Sequence, residues 1–298
     1  MVKLRRGMER LNEITRGKLT GFSFLGPSII GVLIFYVLPF GVVIYYSLID
    51  NPLQHNFVSM DNFVNVINNL AFRQAAKNTA AFSAVAVPLA VILALVLAML
   101  LEERIPFKSQ FRTFFLSPMM VPVASVVLIW QVIFHYNGAL NGFLSNFGID
   151  KIDWFKSDYN QIVVIALFLW KNLGYNMILF MSALNNIPRD LIEMAMIEGA
   201  GPVYRFFNVK LRYLSPTIMF VTILSLINSF KIFREVYLLT GDYPLDGLYL
   251  MQHFMNNTFA SLDYQKLSSA AVIMAVVMII IIGFMFFIEN RFGKDVEG

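Results

Sequence analysis

Few side chains in this sequence could do chemistry, and they are unevenly placed. Its three histidines, His55, His135 and His253, fall in or beside stretches that read as loops, none within an H-E-x-x-H pattern, and they read as plain polar loop residues. No G-x-S-x-G occurs, and with no cysteine the chain has no thiolate nucleophile, thiolate metal site or disulfide framework. A phosphate loop of the form G-x-x-x-x-G-K-[ST] is also missing, because neither Gly17-Lys18 nor Gly293-Lys294 has the required upstream glycine. The expectation is a chain that is not an enzyme, with no catalytic residues, no metal site and no ATPase site of its own. One ionisable group stands out: Lys171, in the stretch LWKNLGYNM, lies deep in an apolar run. A charge there is costly unless it faces water or a partner, so it is a site candidate; alternatively its stem snorkels to an interface or pairs with a neighbouring subunit.

The elements that must position such residues are membrane spans. Of 298 residues 58% are hydrophobic and only 14% charged, against roughly 25% charged in an ordinary soluble domain. Mean hydropathy is +0.66. Uncharged runs recur at Gly21–Ile49, Thr79–Leu101, Thr113–Ile133, Ile162–Leu184, Leu214–Phe230 and Leu267–Ile288. These are solid apolar blocks, whereas a membrane β-barrel would show alternating segments of about ten residues. The predicted fold is all-α, a polytopic membrane protein with six transmembrane helices. No Asp or Glu lies inside any of these runs, which argues against a proton- or sodium-coupled pump.

The net charge of +4 is a matter of topology and not of nucleic-acid binding. Fifteen Lys and Arg fall in the N-terminal segment, the loops after spans two and four, and the C-terminus; seven fall in the opposite, longer loops. That bias predicts both termini in the cytoplasm. The expected organisation is a basic cytoplasmic segment over 1–20, a six-helix domain over 21–288 and a cytoplasmic tail over 289–298.

The loop over 185–213 has its own punctuation. Pro188 suits a helix start, Arg189–Glu198 holds good helix formers, Gly199 fits a left-handed helix end, and Gly201-Pro202 opens a second helix. Ala195 and Gly199 lie four apart on one face, where lack of bulk lets another protein's backbone approach.

This loop resembles the EAA loop of permease subunits from ATP-binding cassette importers. Glu193, Ala195, Gly199 and Ala200 match its pattern, with Phe207, Val209, Leu211 and Pro216 agreeing further on. Met194 replaces its first alanine, Glu198 its aspartate, and Arg212 stands where a proline is usual. The stretches FLGPSIIGVLIFYVLPFGVVIYYSL, FRTFFLSPMMVPVASVVLIW and VYLLTGDYP extend the likeness to the carbohydrate-uptake branch along nearly the whole chain. The resemblance implies a lipid-embedded half of a translocation path for a sugar or oligosaccharide. Its partners would be a second permease, expected to be a different chain, two cytoplasmic ATPases that bind the ATP and magnesium, and an external solute-binding protein. Glu193, Ala195, Glu198, Gly199 and Ala200 would couple the ATPases to the spans.

A sugar path needs hydroxyl-bonding and aromatic side chains inside the bundle. Trp170, Lys171, Asn172, Tyr175, Asn176, Asn228 and Ser229 fit; the same Asn and Ser could instead tie helices together, and Trp and Tyr could sit at lipid interfaces. A self-sufficient channel or secondary carrier for a small polar solute is the alternative, and it has no use for the loop.

Overall fold

The computed structural model describes residues 24–102 and 106–292; the basic segment 1–20 and tail residues 293–298 lie outside them. Six helices among the described residues are long and apolar enough to cross a membrane: Phe24–Ser47, Leu70–Glu102, Val123–Ser145, Asn160–Asn185, Ser215–Thr240 and Tyr264–Arg291. The only β pairing among them is an isolated bridge between Ile49 and Phe57. The chain is an all-α, multi-pass membrane protein, as lipid demands of a backbone that must satisfy its polar groups internally.

Three expected spans change at their ends or interior. The second begins at Leu70, because the polar stretch Phe72–Asn78 is itself helical. The expected span Thr113–Ile133 is two helices, Lys108–Met120 and Val123–Phe134, separated by extended backbone at Val121 and Pro122 (ψ 129° and 143°). Pro122 has no N–H to continue the helix and pushes the preceding residue out of the helical region. The fifth helix continues ten residues beyond the expected end at Phe230, to Thr240. That extension places an acid inside a span helix, contrary to expectation: Glu235 is only 3% exposed.

The described chain divides into two compact units, residues up to 66 with Leu262–Ile273, and Ile67–Ser261 with the segment from Met274 onward. In the first, Asp50 organises the turn after the first span by accepting hydrogen bonds from the backbone N–H groups of Asn51 (2.6 Å) and Asn56 (3.0 Å) and from Asn56 Nδ2 (3.0 Å). Asn62 Nδ2 donates to the carbonyls of Ser47 (3.0 Å) and Ile49 (2.8 Å), closing that turn.

In the second unit, spans two, four and five pack closely. Ala86, Ala90, Ala94 and Ala98 recur every fourth residue on the second span and are fully buried, so the stripe of methyl groups lets neighbouring backbones come near. Two apolar clusters result. One gathers Phe82, Ala86, Ala90, Val126, Trp130, Leu167, Phe168 and Val236. The other gathers Ala94, Ala98, Leu101, Met177, Phe180, Leu184, Leu214 and Val221. Polar ties cross between the spans: Ser83 Oγ and Ser229 Oγ are 2.8 Å apart, and Asn176 Nδ2 donates to Ser225 Oγ at 2.9 Å.

His55 and His135 are exposed, as expected. His253 is not a loop residue: it lies fully buried in the helix Met251–Ala260, between the fifth and sixth spans in sequence. Its Nδ1 accepts the Leu250 backbone N–H at 3.2 Å, and Phe233 packs edge-on to its ring. Burial pushes the imidazole pKa down from 6.5 to about 4, with the charge of Asp242 opposing weakly.

Candidate functional site

The fourth span carries Lys171, Asn172 and Tyr175 about one helical turn apart, and the fifth carries Asn228, then Lys231 and Ile232 three and four residues on, and Glu235 a further turn along. These two faces border a cavity of about 390 Å³. Phe168, Leu224 and Arg234 complete its walls on the same helices, and Met119 and Val123, flanking the break at Val121-Pro122, close another side. The proline break therefore does structural work, leaving the chain either side of it at the cavity edge.

On the wall of this cavity the Lys171 ammonium pairs with the Glu235 carboxylate, the lysine side chain 22% exposed. Each ion would be costly alone in an apolar bundle; together they satisfy one another across two spans. Asn228 Nδ2 donates to Asn172 Oδ1 at 2.9 Å, and Asn172 Nδ2 donates to the Phe168 carbonyl at 2.8 Å. Lys231 and Arg234 are exposed on the cavity wall and have no ion-pair partner among the described residues. Hydroxyl-rich or charged solutes match such a lining: amides and a phenol for hydroxyls, cations for anions.

Of the seven side chains that the sequence offers for a path, the cavity brings together Lys171, Asn172, Tyr175 and Asn228. It does not include the other three. Trp170 packs edge-to-face against Trp130, with ring centroids 6.2 Å apart. Asn176 and Ser229 are buried and bonded to Ser225 and Ser83, which is the helix-tying role. Sequence reasoning missed Lys231, Arg234 and Glu235, although their spacing continues the helical face of Asn228. It also missed Gly174, one turn from Lys171. A Cβ there would collide with the carbonyl group of Phe115, so the glycine allows Lys108–Met120 to cross the fourth span in backbone contact.

The loop after the fourth span forms the helix Arg189–Ile197, with Pro188 as N-cap and Glu198 as C-cap. Gly199 adopts φ +81°. The Ala200 N–H donates to the Ala195 carbonyl at 2.9 Å and the Gly199 N–H to the Met196 carbonyl at 3.0 Å, the paired bonds of a Schellman ending. Gly201 then caps the next helix, with Pro202 in its first turn. No residue of Arg189–Ile197 is buried. Glu193, Glu198 and Gly199 are exposed and Ala195 and Ala200 half-buried, while Leu191, Met194, Met196 and Ile197 present apolar surface, Ile197 being 86% exposed. Ile192 alone turns inward, against the cluster of Ala98, Leu101 and Met177. Exposed apolar surface on a capped helix is the kind of surface that protein or membrane contacts use.

Residues 90–297 match the family described as binding-protein-dependent transport system inner membrane component. Over 93% of its length the chain is 31% identical to the probable ABC transporter permease protein YesP of Bacillus subtilis (strain 168), covering 91% of that protein. It is 27% identical to the sn-glycerol-3-phosphate transport system permease protein UgpA of Escherichia coli (strain UTI89 / UPEC), covering 95% of this chain and 99% of the relative. In fold it resembles a chain from the crystal structure of a bacterial ABC transporter involved in the import of the acidic polysaccharide alginate, with a TM-score of 0.81 at 21% identity, covering 95% and 99% of the two chains. With six membrane-spanning helices among its described residues and matches along almost its whole length, the chain belongs to the binding-protein-dependent transport system inner membrane components, the permease subunits of ABC importers.

Proposed function

We propose that this permease forms half of the path for a sugar, oligosaccharide or polyol phosphate, that its cavity between spans four and five lies on that path, and that the loop over 185–213 receives the ATPase. The relative named for sn-glycerol-3-phosphate supports a small, hydroxylated cargo. A second permease, two ATPases carrying ATP and magnesium, and an external binding protein complete the importer. Both termini and the loop face the cytoplasm, in keeping with the fifteen-to-seven distribution of Lys and Arg. Among the described residues the first and sixth spans bury none of their most apolar window, which suits helices that meet lipid or the second permease.

The observation that carries the reading is the exposed, capped helix Arg189–Ile197, whose Leu191, Met194, Met196 and Ile197 side chains are left uncovered among the described residues. Gly199 tests it. A Cβ at this position would meet no atom within 4 Å, so a larger residue is not excluded by space. At φ +81° a β-branched residue is nevertheless strained by roughly 1–2 kcal/mol, which loosens the helix end, and its bulk projects at the docking surface. Gly199→Val is expected to insert and to pair with the second permease yet lose ATPase co-purification, or retain it with hydrolysis uncoupled from uptake. Wild-type transport with a full ATPase complement would refute the coupling role.

A further inference from the structure

We infer that the cargo admitted through the cavity between spans four and five is anionic: a carbohydrate or polyol bearing carboxylate or phosphate groups. The inference rests on the reading of that cavity as part of the translocation path. The charges on its wall do not cancel. Lys171 is neutralised by Glu235, the acid it touches, whereas Lys231 and Arg234 line the same space with no carboxylate against them among the described residues. A neutral sugar needs neither charge; amides such as Asn172 and Asn228 and the Tyr175 hydroxyl suffice for its hydroxyls.

Topology does not account for the two cations. With the coupling loop in the cytoplasm, the fifth span starts there at Ser215, and Lys231 and Arg234 fall in its outer part, where Lys and Arg are disfavoured. They are three residues apart on one helical face, both beside the cavity, and Glu235 is occupied by Lys171 and offers them no compensation. Two uncompensated cations beside one cavity attract anions, and a guanidinium offers a carboxylate or phosphate a two-pronged hydrogen bond.

The test uses the assembled importer, with its own second permease, ATPases and binding protein, in proteoliposomes loaded with ATP. Three labelled probes are supplied separately: short oligogalacturonates for the carboxylate, sn-glycerol 3-phosphate for the phosphate, and short malto-oligosaccharides as neutral controls. Uptake of one acidic probe over the neutral ones is expected. Because the binding protein also selects, the permease's share is read from variants: Arg234→Gln and Lys231→Gln should each raise the KM for that probe by about tenfold, the loss of one charge-assisted contact, and Arg234→Lys, which keeps the charge but not the two-pronged geometry, should restore part of it. Neutral uptake equal to or above acidic uptake, or wild-type KM in both glutamine variants, would overturn the inference while leaving a sugar importer in place. No uptake of any probe by an importer that hydrolyses ATP would instead count against the carbohydrate path itself.

Discussion

The Lys171–Glu235 pair should respond asymmetrically to the loss of either partner. Glu235 is 3% exposed, whereas the Lys171 side chain is 22% exposed and borders the cavity. Lys171→Met strands a carboxylate that water barely reaches, at a cost near the lower end of the 3–5 kcal/mol typical of an orphaned buried charge, about 3 kcal/mol. Glu235→Gln strands an ammonium that can turn into the cavity, so about 1–2 kcal/mol is expected. At about 2–4 °C per kcal/mol for a chain of this size, the first variant should melt roughly 6–12 °C below wild type in detergent and the second roughly 2–8 °C below. Replacing both, as Lys171→Met with Glu235→Leu, removes the unpaired charge and should recover most of the loss, since apolar pairs often substitute for buried ion pairs at little cost. A thermal double-mutant cycle reads all of this in one experiment. Equal losses in the two single variants, or a double variant whose loss is the sum of theirs, would show that the pair is not a buried, mutually dependent unit.

Gly174→Ala should disrupt the crossing of Lys108–Met120 over the fourth span, because the added methyl meets the Phe115 carbonyl group and the backbone itself must move. A loss of about 1–3 kcal/mol or more is expected, seen as a lower melting midpoint, while Gly283→Ala, where nothing lies within 4 Å, serves as a neutral control. His253 gives a pH dependence. Its folded pKa, about 4, lies below the unfolded 6.5, so the unfolded state binds the proton more readily. The neutral ring's contribution is complete above 6.5 and is lost as pH falls towards 4. Between pH 7 and pH 5 that amounts to about 2 kcal/mol. A His253→Gln protein should show a shallower decline of melting midpoint over the same interval, and an unchanged slope would remove the residue from the account.

Apolar run length was enough to place all six spans, because lipid leaves a helix no other way to satisfy its backbone. The break at Pro122 was legible in principle, since Pro118 and Pro122 both interrupt the run, but hydropathy alone reads straight through them. Glu235 was hidden for a related reason. A charge usually ends a span, so Lys231 and Arg234 appeared to close the fifth helix, whereas the helix continues and turns them onto the cavity wall. His253 misled by its flanks: polar neighbours such as Gln252, Asn256 and Asn257 look like a loop, yet Met251 and Phe254 bury one side of the helix they form. The bend at Gly199 followed from local chemistry, the need for a positive φ at a helix end, and such features are visible in sequence because they depend on few residues. Trp170, Asn176 and Ser229 could not be separated from Asn172 and Asn228 by type, because which face of a span meets a cavity depends on the register between spans, and the sequence of one span does not encode it.

If the loop has the coupling role proposed above, it and the cavity would communicate through unequal packing. Ile192 of the loop helix, with Phe206 and Leu211 beyond the bend, seats against Leu101, Met177, Phe180 and Leu214, where three spans are apolar and close-packed. Close-packed interiors compress little, so a displacement of the loop passes to spans two, four and five as a nearly rigid push. Farther along the same helices the contact between spans four and five is different: two asparagines, one ion pair and a cavity of about 390 Å³. Polar contacts beside open space can exchange partners with water or with a solute at lower cost than a dry apolar seam can open. On that proposal, motion imposed at the loop would be carried by the apolar cluster near it and taken up around Lys171 and Glu235, where the contact between spans four and five is polar and open.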